Sequence, residues 1–524
     1  MDASVEEILK EHLRRFAGQF RHAGEMVGLL QADGIEITHA REVAPSTWFL
    51  RAKPPQHLQE GFGLAPEILL IVITQGGVQA RDIQRANSEV MLSGLRLDSN
   101  LVIVTDTHFD LQDRLDRIPG TGQRVAWVWD DKDHWAPLSE VLRQQLPTYD
   151  AFEERDPVRG DQLMGRDAEV ATLRTRVVRG DAVGVFGLRK MGKTSLVRAV
   201  TDSLDPASAL RNEAGGNDVT SRTCVVWVDA EMLDPDAQVD DVAREMLVSL
   251  RRRMRAAQMP YAAPERQGFA GLKDAGEALL DENWRLCFVI DEYDFLFERE
   301  ADAGPVPGLS RLLRLLRAWS QTRQGTVSLI LIGRDPEHLS VPLLDGVSNP
   351  LLAWFIPMWL GPLAAPRDTA MLRRLGRRTG LDIGPESAER ARHWTGGHPL
   401  LHRQFGSALR QATLNHHPAL AWKAKTDAHC NEAVERFLER DTVHTVAREV
   451  LALLDKRYRP AHDLLLTLAE QEGPPGTLKN QKLHTDGSQT LRNFGILDER
   501  TQSLPAYLSW YVRKLLPPMR RMAV

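Results

Sequence analysis

The 524-residue sequence predicts an α/β fold. It reads as a parallel sheet in the middle of the chain, a helical lid domain and a winged-helix domain after it, and a small α/β domain before it. Three observations carry the prediction. Between 163 and 362, apolar strand-like runs alternate with helical stretches, the order of a parallel sheet with crossover helices. One of those runs, Ala182–Phe186, leads directly into the glycine-bracketed segment Gly187–Thr194. From 363 onward the apolar residues recur at helical spacing, until three helices are followed by two short strand-like stretches near the end.

Composition agrees with a multidomain globular chain: 43% of residues are hydrophobic and 26% charged, with no low-complexity tract. A chain of this length exceeds a single core and fits several domains. The longest apolar runs, such as Ile68–Ile73, are strand-length, so no membrane span is expected. The N-terminus is acidic and opens an amphipathic helix, unlike a secretory signal. Cys224, Cys287 and Cys430 lie too far apart for a disulfide framework or a zinc cluster. The first two sit in apolar runs, as small buried thiols do. A cytoplasmic protein is expected. The net charge of −5 offers no general attraction to nucleic acid or anionic membrane. Two arginine clusters, one at Arg251, Arg252, Arg253 and Arg255, the other at Arg373, Arg374, Arg377 and Arg378, read as solvated helix faces.

In chain order, residues 1–145 give a helix at Val5–Phe20, strands at Thr47–Arg51 and Ile68–Ile73, and a helix at Ala80–Leu92. A strand at Leu101–Thr105, a short helix at Leu111–Arg117 and a strand at Val125–Trp129 follow. Apolar runs without alternation predict a sheet covered on both faces. Residues 146–162, with Pro147, Pro157 and many charges, read as a linker. The domain at 163–362 places strands at Ala182–Phe186, Cys224–Val228, Leu286–Ile290 and Val327–Ile332, with surface loops at Asp205–Ser221 and Ala256–Gly268. Residues 363–440 are helical, with Leu372, Leu375, Leu401 and Phe405 on apolar faces. At 441–516, helices at Val443–Leu454, Ala461–Gln471 and Ser488–Asn493 precede strands at Ile496–Glu499 and Leu504–Trp510, the order of a winged helix. Residues 517–524 form a basic tail.

The chemistry concentrates in Gly187-Leu188-Arg189-Lys190-Met191-Gly192-Lys193-Thr194, a full match to the Walker A pattern that follows a strand and opens a helix through Ser195. Glycines let backbone N–H groups curl around a phosphate, and the helix N-terminus adds positive potential. Lys193 reaches the β- and γ-phosphates and the Thr194 hydroxyl is a Mg²⁺ ligand. The strand Leu286–Ile290 ends in Asp291 and Glu292, placed for the Mg²⁺ shell and for polarising the attacking water. The strand Val327–Ile332 leads to Gly333 and Arg334, whose guanidinium is positioned for the γ-phosphate. ATP or ADP with Mg²⁺ is the expected ligand.

Together with the lead-in Met164-Gly165-Arg166-Asp167-Ala168-Glu169 and the segment Gly396-Gly397-His398-Pro399-Leu400-Leu401, these motifs resemble the STAND class of signalling NTPases, in its bacterial and archaeal AAA+-related branch. The resemblance covers 163–515. It implies that Arg166 packs near the adenine, that the turn at His398 and Pro399 closes the helical domain over the nucleotide, and that His398 faces the β-phosphate. It further implies a switch: ADP holds a closed monomer, ATP opens a form that assembles into a homo-oligomer, and slow hydrolysis resets it, in bacterial defence or stress signalling. Relatives of that class add a long repeat array as sensor. Here sensing an unknown protein trigger falls to the N-terminal domain, the winged helix or a partner.

The N-terminal order loosely resembles the restriction-endonuclease-like fold, but Glu67–Thr74 lacks the Glu-x-Lys of active versions. Asp106, His108 and Asp110 read as turn and cap residues, and His416-His417-Pro418 as a loop. The domain is expected to be a non-catalytic interaction or effector module. Two other readings compete with the switch. One is an ATP-regulated DNA-binding protein using Lys479, Lys482 and Arg492 of the winged helix, which neighbouring acids disfavour. The other is an ATP-gated nuclease.

Overall fold

The computed structural model describes residues 3–515 except 93–96, 107, 109, 120–121, 129–134, 154–156, 159, 205–222, 257–265, 299–303, 324, 353, 417–422, 471–485 and 499–502. The chain forms two compact units, one of Met1–Gly165 with Leu363–His444 and the other of Arg166–Pro362 with Thr445–Val524.

The first unit opens with α1 (Ala3–Gln19), α2 (Ala23–Ala32), β1 (Glu36–Ala44), β2 (Thr47–Lys53), α3 (Gln56–Phe62) and β3 (Glu67–Ile73). It continues through α4 (Ala80–Leu92), β4 (Leu97–Thr105), α5 (Leu111–Arg117), β5 (Gln123–Ala126) and α6 (Leu138–Gln145). The five strands pair in sequence order, β1–β2–β3 antiparallel and β3–β4–β5 parallel. The unbroken apolar run of β3 has a physical reason. Ile68, Leu70 and Val72 pack with Phe16 and Trp127 on one face, and Leu69, Ile71 and Ile73 with Ile83 and Leu111 on the other. The strand β1 and the helices α2, α3 and α6 extend the predicted order. Arg41 and Arg51 grip the buried Glu89 of α4 at 2.6 and 2.5 Å. Asp106 accepts from the backbone N–H of Val78 and His108, and Asp110 pairs with Arg114. Asp106 holds the turn as expected, whereas Asp110, at the N-cap position of α5, makes no side-chain cap bond.

The second unit begins with α7 (Asp167–Arg179), β6 (Ala182–Phe186), α8 (Lys193–Leu204), β7 (Thr223–Asp229), α9 (Val239–Ala256), α10 (Gly268–Asp281) and β8 (Arg285–Asp291). Then come α11 (Leu309–Thr322), β9 (Val327–Gly333), α12 (Glu337–Ser340), the small hairpin β10 (Leu343–Leu344) and β11 (Val347–Ser348), and β12 (Phe355–Trp359). Five strands make an all-parallel sheet in the order β12-β6-β9-β8-β7. All four predicted strands are present, and β12 is a fifth at the edge, where Pro357 costs no central ladder bond. Cys224 and Cys287 are buried free thiols in β7 and β8. The two expected surface loops fall almost wholly outside the described residues.

The chain then returns to the first unit with α13 (Arg367–Arg378), β13 (Leu381–Asp382), α14 (Pro385–Thr395), α15 (Pro399–His416), β14 (Ala424–Lys425) and α16 (Cys430–Leu438). Two expectations are corrected here. The stretch expected as a linker is packed in its described part. Phe152 is fully buried against Gly406, Ala151 O accepts from Arg403, and Asp150 accepts from Ser407 at 2.7 Å. The second arginine cluster is also no solvated face. Arg378 pairs with the fully buried Asp98 of β4 at 2.5 Å, and Arg374 pairs with Asp161. Ser99 donates to Asp161 through both its N–H and its hydroxyl, at 2.9 and 2.6 Å. Burial, and next the charge of Asp98, push the Asp161 carboxyl above its usual range. His416 ends α15 paired with Glu432 at 3.0 Å, and the two residues after it lie outside the described set.

Finally come α17 (Asp441–Arg457), α18 (Arg459–Glu470), α19 (Asp486–Asn493) and α20 (Ala506–Leu515). The three expected helices are present, but among the described residues no strand pair follows them. Leu504–Trp510, expected as a strand, is instead mostly the start of α20. Pro505 supplies a helix entry, and Tyr507, Leu508 and Val512 bury one helical face. Lys479, Lys482 and the basic tail lie outside the described residues. Among the described residues no helix is long and apolar enough to cross a membrane.

Candidate active site

Strand β6 is buried along its length, and the chain leaves it through a tight curl. Gly187 has φ 147°, and a Cβ there would lie 2.5 Å from Leu360 O, so only glycine fits. Its N–H donates to Arg334 O at 3.0 Å, fastening the loop to the end of β9. Lys190 and Gly192, at φ 62° and 90°, complete the curl. Leu188 and Met191 are buried while Arg189 and Lys190 are exposed. Arg166 is buried and donates to Gly361 O at 2.6 Å and to Met191 O at 3.3 Å, and it pairs with Glu169. Its guanidinium braces the loop from behind.

Lys193 opens α8 with its ammonium buried, donating to Gly187 O at 2.9 Å and Leu188 O at 3.0 Å. Burial lowers its pKa, and Glu292, Asp294 and Asp291 oppose that. Ser195, two residues on, is also buried. Thr194 donates its hydroxyl to Asp291 Oδ1 at 3.3 Å. Asp291 ends β8 in register with Asp229 of β7. Burial first, then the charge of Glu292, push its carboxyl up to about 6. A buried carboxylate held against a hydroxyl among further acids is a donor set that fits a hard divalent cation such as Mg²⁺. Glu292 sits in the left-handed region at φ 48°, ψ 45°. Such a conformation costs a non-glycine residue about 1 kcal/mol or more. Its N–H donates to Asp291 Oδ1 at 3.1 Å.

A second constellation lies beside these residues. Asp294 is buried, accepts from the Arg334 N–H at 2.9 Å and lies 3.9 Å from Arg334 Nε. Burial raises its pKa, and Arg334 opposes that. A side chain at Gly333 would strike the Tyr293 ring and Asp294 Oδ2, which explains the glycine before Arg334. Arg334 donates to Glu298 Oε2 at 3.0 Å, and Glu298 Oε1 takes His338 Nε2 at 2.5 Å together with Arg457 of α17. Arg457 also reaches Glu337 at 3.3 Å and Asp335 at 3.8 Å. Ligand atoms of Asp294, Glu298 and His338 lie within 4.8 Å of one another, a spacing a metal could use. Two guanidinium groups already neutralise these acids, so the arrangement is an ion-pair network.

Lys193 and Glu292 of the first constellation and Asp294, Glu298, Arg334 and Arg457 of the second line one cavity of about 460 Å³. Arg189, Lys193, Glu292, Glu298 and Arg334 line one wall, and Val446, Val450, Leu453, Lys456 and Arg457 of α17 line the other. Arg189 of the loop lies 3.7 Å from Glu449 of α17. The structure therefore brings Lys193, Thr194, Asp291, Glu292 and Arg334 to one end of the sheet. His398 and Pro399 belong to the other unit. There His398 is buried at the start of α15, and its Nδ1 accepts from Leu401 N at 3.5 Å, as a cap does. Sequence reasoning missed Asp294, Glu298 and Arg457. The first two follow Asp291 at helical spacing, a detectable signal, whereas nothing local marks Arg457.

No protein-family model and no curated protein sequence matches the chain. Among solved structures it is similar to a Walker-type ATPase of Pyrococcus abyssi, at 16% identity over 69% of this chain and 99% of that one, with a TM-score of 0.46. The ORC2 protein of Aeropyrum pernix is similar at 15% identity over 71% and 98%, with a TM-score of 0.38. Cdc6p of Pyrobaculum aerophilum is similar at 13% over 70% and 98%, with a TM-score of 0.34. In the chain's own residues, a Walker A loop leaving a strand of an all-parallel sheet makes residues 166–362 a P-loop NTPase module.

Proposed function

We propose that the chain is an ATP-binding, slowly hydrolysing regulatory switch whose nucleotide state sets its conformation and its assembly into a homo-oligomer. The observation that carries the reading is the contact of Thr194 with Asp291, next in sequence to Lys193 and Glu292, which line a cavity shared with α17. The curled loop from Gly187 presents its N–H groups to the phosphates, and Lys193 adds the countercharge. Thr194 and Asp291 would hold Mg²⁺, which neutralises phosphate charge when bound. Glu292, partly exposed at the cavity, takes a proton from water as it attacks, and Arg334 meets the terminal phosphate. A far wall made by a separate helical segment suits a switch, because a ligand in the cavity alters what that segment packs against.

The finer role, a STAND-like switch in bacterial defence or stress signalling answering a protein trigger, is supported by the motif set and by the extra N-terminal domain. That domain is taken as non-catalytic, since Arg41 and Arg51 already neutralise Glu89 between its sheet and α4. The domain limits 1–145, 163–362, 363–440 and 441–516 belong to the same reading, as does the role of Arg166 at the base. Nucleotide binding and turnover test the core of it. Lys193→Ala loses ATP and ADP binding by at least about 100-fold, the effect of removing a buried charge from a phosphate site. Glu292→Gln binds normally and stops turning over. Full hydrolysis by Glu292→Gln would remove that residue from its role.

A further inference from the structure

Glu298 has two carboxylate oxygens and three cationic or polar donors. Arg334 holds Oε2, while His338 and Arg457 share Oε1. The donors come from different places in the sequence: the end of β9, α12, and the end of α17. His338 is fixed by stacking on Phe297, with ring centroids 5.1 Å apart and planes 10° apart. The arginines are therefore the adjustable members. The side chain of Arg457 is 12% exposed and that of Glu298 27%, so the pair is shielded enough to matter. The guanidinium of Arg334 lines the same cavity as Lys193 and Glu292, so a terminal phosphate there would draw it away from Glu298.

We propose that Glu298 is a positioning residue that clamps Arg334, and that Arg457 of α17 sets how firmly it does so. The proposal rests on the ATPase reading of the site. The physical basis is competition for one negative charge. While Arg457 shares the carboxylate, Arg334 is held loosely and is available to a third phosphate. Without Arg457, the full charge of Glu298 falls on Arg334 and His338, and the triphosphate must pull harder. By reciprocity, a triphosphate that takes Arg334 leaves Glu298 to Arg457 and tightens α17 onto the ATPase module. The C-terminal helices thus favour the triphosphate over the diphosphate, and the triphosphate favours their docking.

The test is titration of the full-length protein with Mg·ATPγS and with Mg·ADP. Glu298→Gln releases Arg334 and raises the ATPγS-over-ADP affinity ratio about tenfold, the scale of one charge-assisted hydrogen bond. Arg457→Met lowers the ratio about threefold, whereas Arg457→Lys, which keeps the charge, stays within about twofold of wild type. The double variant matches Glu298→Gln, because the influence of Arg457 runs through Glu298. A merely structural role predicts that both single changes lower the ratio and that their effects add, and that result would overturn the clamp. So would loss of ADP binding in Glu298→Gln, which would mean that Glu298 supports the loop itself. Where that variant does not fold, Glu298→Asp withdraws the charge by one methylene and is expected to shift the ratio in the same direction. Wild-type protein that binds neither nucleotide would overturn the ATPase reading and the clamp with it. Binding of both with no shift in any variant would overturn the clamp alone.

Discussion

Changing Arg378 to Met removes one side of a buried ion pair and withdraws the guanidinium from the other. Asp98 is fully buried and pairs with Arg378 at 2.5 and 3.3 Å, while Arg378 also donates to Gly63 O at 3.0 Å. After the change, Asp98 keeps the N–H of Ala65 at 3.0 Å, with Asp161 as an acidic neighbour. Breaking such a pair from one side costs about 3–5 kcal/mol, because the stranded carboxylate remains desolvated. The loss should appear in two segments far apart in sequence, since β4 and α13 are the two sides of the contact. Native-state hydrogen exchange by mass spectrometry reads this directly. Peptides covering 97–105 and 367–378 are expected to lose about 3 kcal/mol of opening free energy together, while a peptide covering 285–291 is unchanged. Adding Asp98→Leu removes the stranded charge and should regain about 1 kcal/mol or more. A loss below about 1 kcal/mol, or one confined to 367–378, would refute the view that the N-terminal sheet and the helical segment share one cooperative unit.

Two further outcomes follow from the geometry. Gly187→Ala places a Cβ 2.5 Å from Leu360 O at φ 147°, so nucleotide binding should fall by at least about 100-fold; micromolar binding by that variant, measured by calorimetry, would contradict the loop geometry. His402 is buried with Nδ1 2.9 Å from Thr395 Oγ1, and burial pushes its pKa down to about 4. The unfolded chain takes up that proton near pH 6.5, so this stabilisation is complete above 6.5 and lost as the pH falls toward 4, by up to about 3 kcal/mol. Melting curves of His402→Gln should be flatter with pH over that window than those of wild type, and parallel curves would count against the assignment.

What the sequence disclosed was whatever is local. The Walker A loop and the acids at the end of β8 are contiguous motifs beside buried strands, and four strands of the parallel sheet announce themselves as apolar runs. Elements at a sheet edge were harder to see. β1 mixes charged, polar and apolar residues and is buried only at Ala40, as suits a strand with one neighbour, and β12 carries Pro357 between Phe355 and Trp359. The arginines of α13 look like a solvated face because their partners, Asp98 and Asp161, are more than 200 residues earlier. The same distance problem hides Arg457 from Glu298. The wing was misread because Leu504–Trp510 mixes apolar and polar residues in a way that fits a strand as well as a helix over so short a window.

The central claim, that bound nucleotide sets the state of assembly, is tested most directly by mass photometry of Glu292→Gln with Mg·ATP beside wild type with Mg·ADP. A homo-oligomer is expected for the ATP-locked variant and a monomer of about 59 kDa for wild type in ADP. The same mass in both, with nucleotide binding verified in each, would contradict it.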